Sequence, residues 1–160
     1  MTSIFNPEAF LNATHEGGFE TRRPIVPEGE YPAQILPEKD GLDAKPVNTK
    51  NGTRLVLSLG WEILDDGVRA ATGLDKPRVK QDVWLDLDAN GHLVKDKTHN
   101  IDLGRLLSGL GLNSGSWTPN QIRSVGVCKV KVVAEPDKEK KNPDDTPVIY
   151  NRVVAAVRMG

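Results

Sequence analysis

The chain has 160 residues, 21 Lys/Arg against 22 Asp/Glu, and a net charge of −1. That length suits one domain with its own core, and the balanced charge excludes a protein that coats polyanions with its whole surface. No apolar run approaches the roughly 18 residues of a membrane span, and the single Cys128 cannot form an internal disulfide, which fits a reducing cytoplasm.

Residues 1–25 read as a partly ordered N-terminal arm. Asn6-Pro7-Glu8 is a helix start, with Asn6 as cap and Pro7 at the first helical position. Phe5 and Phe10 are spaced as a hydrophobic staple across it. The pattern supports two turns, to about Ala13, before His15-Glu-Gly-Gly18 and Thr21-Arg-Arg-Pro24 break it. A tail explains this composition more simply than a functional arm does. The first residues also lack the basic-then-apolar layout of a secretory signal.

Residues 26–160 read as the domain. Tyr31, Ala33 and Ile35 alternate with polar neighbours and predict a first strand, in which Pro32 implies an edge position or a bulge. Residues 37–52 predict a long polar loop, with Lys39, Lys45 and Lys50 balanced by Glu38, Asp40 and Asp43. A second strand follows over Arg54–Ile63. It places Leu55, Leu57, Leu59, Trp61 and Ile63 on an inner face, and Arg54, Ser58, Gly60 and Glu62 on the other. Gly60 predicts a bend, and Asp65-Asp66-Gly67 ends the strand.

The third strand spans Val79–Leu87. Val79, Val83, Leu85 and Leu87 face in; Lys80, Asp82, Trp84 and Asp86 face out. Asn90-Gly91 is a tight-turn signal, after which His92-Leu-Val94 pairs back briefly. The period then changes. Asn100 predicts a cap for a helix with Leu103, Leu106, Leu107 and Leu110 on one face and Gly111 as its stop. Thr118-Pro119-Asn-Gln121 is a capping box that opens a further short helical turn.

Two strands close the chain, Gly126–Glu135 and Val148–Arg158, joined by a charged loop over residues 136–147. In the first, Cys128, Val130 and Val132 face in and Lys129 and Lys131 face out. In the second, Val153, Ala155 and Val157 face in, against Tyr150, Arg152 and Arg158. Residues 126–160 hold seven Lys/Arg against five acids, so any polyanion site is a local patch.

Motifs for chemistry are sparse. Asp86-Leu-Asp88-Ala-Asn90-Gly91 copies the first half of a calcium loop, but the position that needs a bidentate Glu is Lys97. Asn12-Ala-Thr14 and Asn51-Gly-Thr53 match glycosylation acceptors without a secretory signal to expose them. His15, His92 and His99 have no ligand-spaced partners. Neither a nucleophile elbow nor a phosphate-cradling P-loop occurs. The expectation is therefore a binding protein without catalytic residues, cofactor or metal.

A binder of single strands needs cations for phosphates and exposed aromatic faces for bases. The outward aromatics are Trp84 and Tyr150. The outward cations are Arg54, Lys80, Lys129, Lys131 and Arg152. Trp61 reads as core and Trp117 as a packing anchor. The whole predicts an all-β protein with one or two short helices. Five strands with a helix between the third and fourth is the chain order of an OB-fold, a five-stranded Greek-key barrel. Its binding face centres on the second and third strands, and the loops at 37–52 and 136–147 flank that face.

The chain also resembles the small phage-encoded single-stranded DNA-binding proteins of OB type that are found beside recombination and replication genes. The resemblance rests on Val26-Pro-x-Gly29-x-Tyr31, Trp61-Glu-Ile63, Trp84-Leu-Asp86, Leu103-Gly104-x-Leu106 with Leu110-Gly111, and Tyr150-Asn-Arg152-Val153. It implies sequence-tolerant binding of single-stranded DNA in a host cell's cytoplasm, with phage replication or recombination proteins as further partners and no membrane. It does not identify the contact residues, and it leaves a homo-oligomer open. Bacterial single-strand binders usually end in an acidic recruiting tail, whereas this chain ends Val-Arg158-Met-Gly160. Two rival expectations stand beside it. One is an OB-type interaction or structural phage protein that binds no nucleic acid. The other is an enzyme with a carboxylate metal site at Asp86 and Asp88.

Overall fold

A computed structural model describes residues 6–159. Among these, the strands are β1 (Gly29–Ile35), β2 (Leu42–Thr49), β3 (Gly52–Ile63), β4 (Arg78–Leu85), β5 (Cys128–Lys141) and β6 (Pro147–Arg158). The helices are α1 (Pro7–Asn12), α2 (Glu38–Gly41), α3 (Asp66–Thr72) and α4 (Ile101–Gly109), with a 3-10 turn at Pro119–Ser124. The mainly β expectation holds. The strand count differs: six strands form one antiparallel sheet, where the sequence pattern predicts five.

β3 is the hub. It pairs with β4 along Leu55–Glu62. On its other edge it pairs with β2 from Gly52 to Leu59 and then with β1 from Trp61 to Ile63. β1 continues the sheet to β5, and β5 to β6. β4 and β6 pass within 8 Å, Cα to Cα, without sharing a ladder, so the sheet curls but is not closed by hydrogen bonds. α4 packs on both of these strands. Its approach to β6 needs Gly109, where a Cβ would lie 2.1 Å from the Ala156 carbonyl oxygen.

The apolar periods read from the sequence mark the core. Leu57, Leu59, Trp61 and Ile63 of β3, Cys128, Val130 and Val132 of β5, and Leu103, Leu106, Leu107 and Leu110 of α4 are all buried. Trp61 has no exposed surface, and its Nε1 donates to Gln81 Oε1 at 2.9 Å, which satisfies both buried polar groups. Trp117 packs half-buried against this cluster. The capping box at Thr118 and Gln121 forms as its sequence predicts.

Several expectations are corrected. Residues 37–52 are not a loop but α2 followed by β2, which runs antiparallel to β3 through a two-residue turn, Lys50-Asn51. β2 is an edge strand, so it needs no apolar alternation, and Pro46 is tolerated there. Residues 136–147 are likewise mostly strand. The β5–β6 ladder reaches Pro136↔Ile149 and resumes at Lys141↔Pro147, leaving a turn at residues 142–146. Pro32 does not mark an edge strand, since β1 lies between β3 and β5. Pro32 sits just past the end of the β1–β3 ladder, where its carbonyl accepts from Leu64 N.

Gly60 marks a close approach. A Cβ there would lie 1.9 Å from the Asp40 carbonyl oxygen, because α2 lies flat on the outer face of β3. In β6, Val154 is an extra residue in the register between Lys131↔Ala155 and Val132↔Val153. This bulge turns Ala156 inward and leaves Ala155 and Val157 exposed, against the predicted inner face. Leu87 lies beyond the end of β4 and is also exposed. It bridges Leu93, and the chain pairs back through Val94 N and Asp86 O as the Asn90-Gly91 turn predicts. α3 is an addition to the predicted elements; Asp65 caps it by accepting from Val68 N at 2.9 Å. Asn100 stands at the start of α4 without capping it. Its side chain instead bonds Asp86 N, Asp86 O and Val94 O, stitching the end of β4 to the loop.

Every residue from Asn6 to Pro24 is exposed. α1 forms with Asn6 as its cap and Pro7 in its first turn; the predicted staple needs Phe5, which lies outside the described residues. The folded body starts at Val26, whose backbone N–H and C=O are both held by the Asn151 side chain. Among the described residues, no helix is long and apolar enough to cross a membrane.

Gly60→Ala is expected to destabilise the fold by about 1–3 kcal/mol through overpacking against α2. Gly104→Ala, in open space on α4, is expected to be neutral or to stabilise by up to about 1 kcal/mol. Urea midpoints of the two variants measure this, and equal midpoints would refute the close-approach account.

Candidate nucleic-acid interface

The seven predicted contact residues fall into two groups on the outer surface. On β3 and β4, Trp84 is 41% exposed on the polar side of its strand. The Arg54 guanidinium lies over its ring, 5.1 Å from the centroid, and also bonds Asp86 Oδ1 at 2.9 Å. A guanidinium held over an indole by a carboxylate keeps the ring in one orientation, which suits a stacking platform. Among the described residues, this is the one cation–aromatic stack. Lys80 is on the same outer face of β4, four residues back, and has no carboxylate within ion-pair reach among the described residues.

On β5 and β6, Tyr150 and Arg152 converge on Glu135. Arg152 makes two bonds to it, Nε to Oε2 at 2.9 Å and Nη2 to Oε1 at 2.8 Å, and the Tyr150 hydroxyl donates to Oε2 at 3.1 Å. Arg152 holds the Glu135 carboxyl below the usual carboxylate range. Glu135 in turn raises the Tyr150 hydroxyl above its ordinary value. Lys129 and Lys131 face out as predicted, but Lys129 bonds Glu30 at 3.0 Å and lowers that carboxyl too.

The structure therefore joins Arg54 with Trp84, and Tyr150 with Arg152. It does not bring Lys80, Lys129 or Lys131 against either aromatic. Three of the five predicted cations already carry a carboxylate partner. The expected open floor on β3 is also smaller than its pattern suggests, because Val56, Ser58 and Gly60 on its outer side are buried.

Asp86 is occupied by Arg54 and by Asn100 N, while Asp88 accepts from Asn90 N and His92 N in a turn. Among the described residues, no group of three His, Cys, Asp or Glu is placed to hold a metal ion. Burial pushes the Cys128 thiol up, away from the thiolate that reacts.

Sequence reasoning missed a convergence of cations. Lys39 of α2, Lys45 of β2 and Arg78 of β4 meet Lys80 around one small cleft. Three separate segments supply these residues, so no local motif could signal them. Neither a protein-family model, nor a curated protein, nor a solved structure matches this chain.

Glu135 gives a pH prediction. Because its folded pKa is depressed, its pairing stabilises fully above the ordinary carboxylate range and is lost as pH falls through the lowered value. A carbon-detected NMR titration should show its midpoint rise in Arg152→Ala, and the melting-temperature gap between wild type and Arg152→Ala should narrow on acidification. A midpoint unmoved by the substitution would remove Arg152 as the cause.

Proposed function

We propose that this chain is a non-enzymatic, sequence-tolerant single-stranded DNA-binding protein on an OB-type Greek-key barrel, serving phage replication or recombination in the host cytoplasm. With β2 set aside as an insertion after the first barrel strand, five strands remain, with α4 between the third and fourth. The unlaced edge between β4 and β6 suits a partly open barrel of that kind. The two β-ribbons, β2–β3 and the outer half of β5–β6, occupy the loop positions that flank the binding face in this architecture.

The single observation that carries the proposal is Trp84, an indole left 41% exposed on a polar strand face and steadied by Arg54. The Trp84 ring lies on the strand face that also carries Lys80, where a base could stack beside a cation. The ion pairs on Arg54, Lys129 and Arg152 are no obstacle to phosphate. Exposed pairs contribute only about 0–1 kcal/mol, so a phosphate oxygen can replace a carboxylate.

Fluorescence anisotropy with labelled oligo-dT at low and high salt tests this directly. Binding at low salt that weakens with added salt is expected, with a slope of about −0.7 per phosphate neutralised. Trp84→Ala should weaken it by about 1–3 kcal/mol, the stacking energy of one base. Absence of binding at low salt, or indifference to salt, would sink the proposal.

One set of observations favours an OB-type interaction or structural phage protein that binds no nucleic acid. The arm displays Phe10, Leu11 and Phe19 at 64%, 79% and 83% exposure, and much of the predicted cationic surface is paired. Co-precipitation of a partner protein without any shift of labelled oligonucleotide would select it.

A further inference from the structure

We propose that the cleft between α2, β2, β3 and β4 is a phosphate-binding site. Its volume is about 80 Å³. The concavity is small. Lys39, Lys45, Arg78 and Lys80 line it, against one carboxylate, Asp40. Asp40 and Arg78 stand 4.0 Å apart, at the limit of an ion pair, and this one acid leaves three of the four positive charges of the cleft unbalanced. Among the described residues, Lys39, Lys45 and Lys80 have no ion-pair partner.

Ser58 lines the cleft as well. It is 9% exposed, and its hydroxyl makes no hydrogen bond among the described residues, which leaves a donor for an oxyanion. The ladder neighbours of Ser58, Asp43 and Asp82, are carboxylates, and neither lines the cleft. The wall formed by α2 is fixed. Arg123 donates to the Glu38 carbonyl at 2.6 Å and to the Leu42 carbonyl at 3.0 Å, pinning both ends of the helix. Four cations drawn from three segments to one concavity of this size match the needs of a phosphate, which binds through several charge-assisted bonds at once.

The cleft opens on the outer face that also carries Trp84, four residues along β4 from Lys80, or roughly 13 Å at strand rise. A backbone phosphate could therefore sit here while a base stacks on Trp84. That the phosphate belongs to a nucleic-acid strand rests on the single-strand proposal above; the anion site itself does not.

The test uses two probes on the full chain. Inorganic pyrophosphate should shift the backbone amide signals of Ser58, Gly60 and Lys80 saturably, and Lys45→Glu/Arg78→Glu should abolish the shifts. With oligo-dT, the same double variant should bind about tenfold more weakly, and its salt slope should flatten by about 0.7, the share of one phosphate. Both residues are exposed. An unfolding midpoint equal to wild type confirms an intact fold, and Lys39→Gln/Lys80→Gln replaces the pair if that midpoint falls. No pyrophosphate shifts, or shifts that survive the substitutions, would overturn the site even where oligo-dT still binds. Pyrophosphate binding without any oligo-dT binding would keep the site and reject the strand as its ligand. An unchanged salt slope in a variant that has lost pyrophosphate shifts would do the same.

Discussion

Trp61 has no exposed surface, and it sits where β3 changes neighbours, between the last β2 pair at Leu59 and the β1 ladder that begins at Trp61. Its ring fills the core and its N–H ends on Gln81 of β4, so one side chain ties the hub strand to the partner on its far edge. A strand with three partners and both faces covered leaves little room for side chains on its outer side. Gly60 meets that constraint by letting α2 lie directly on the sheet. The cationic cleft follows from this contact. Lys39 comes with α2, Lys45 with the ribbon that α2 launches, and Arg78 and Lys80 with the strand alongside.

The near-zero net charge has a definite structural form. Opposite charges are spent in pairs across neighbouring strands: Glu30 with Lys129, Glu135 with Arg152, Asp86 with Arg54. Such pairs are exposed and weak, so they hold orientation more than they add stability. Against this background, a few features stand apart among the described residues: the unpaired Lys39, Lys45 and Lys80 of the α2 cleft, the half-exposed Trp84 indole, and the apolar side chains of the arm. A surface that is otherwise neutral makes these local departures the places where partner chemistry concentrates.

Legibility in the sequence followed one-sided burial. β3, β4, the inner half of β5 and α4 each press one face against the core, and that pressure leaves a period of two or of three to four in the residues. β2 beyond Leu42 and the outer β5–β6 ribbon bury no side chain in the core, so polar residues and prolines occupy both sides and read as loop. α3 buries only Val68 and is equally faint. The Val154 bulge left no mark either, since a run of small and branched residues from Val153 to Val157 permits either face. Among the site residues, the outward placement of Trp84, Lys129 and Lys131 was legible from alternation. The partners of Arg54, Lys129 and Arg152 were not, because each lies 17 to 99 positions away and is set by register.

What the residues determine by themselves is local. They set the inner faces of the strands that touch the core, the amphipathic helix with its stop at Gly111, the capping box at Thr118, and the exposure of Trp84. Alternation and capping depend on a few neighbouring side chains, and these are adjacent in sequence. Tertiary structure decided the sixth strand, the closeness of α2 to β3, the pairing of most interface cations, and the convergence of Lys39, Lys45, Arg78 and Lys80. Each of these depends on which strands lie side by side and in what register. That arrangement is a property of the packed sheet, and no single stretch of the chain contains it.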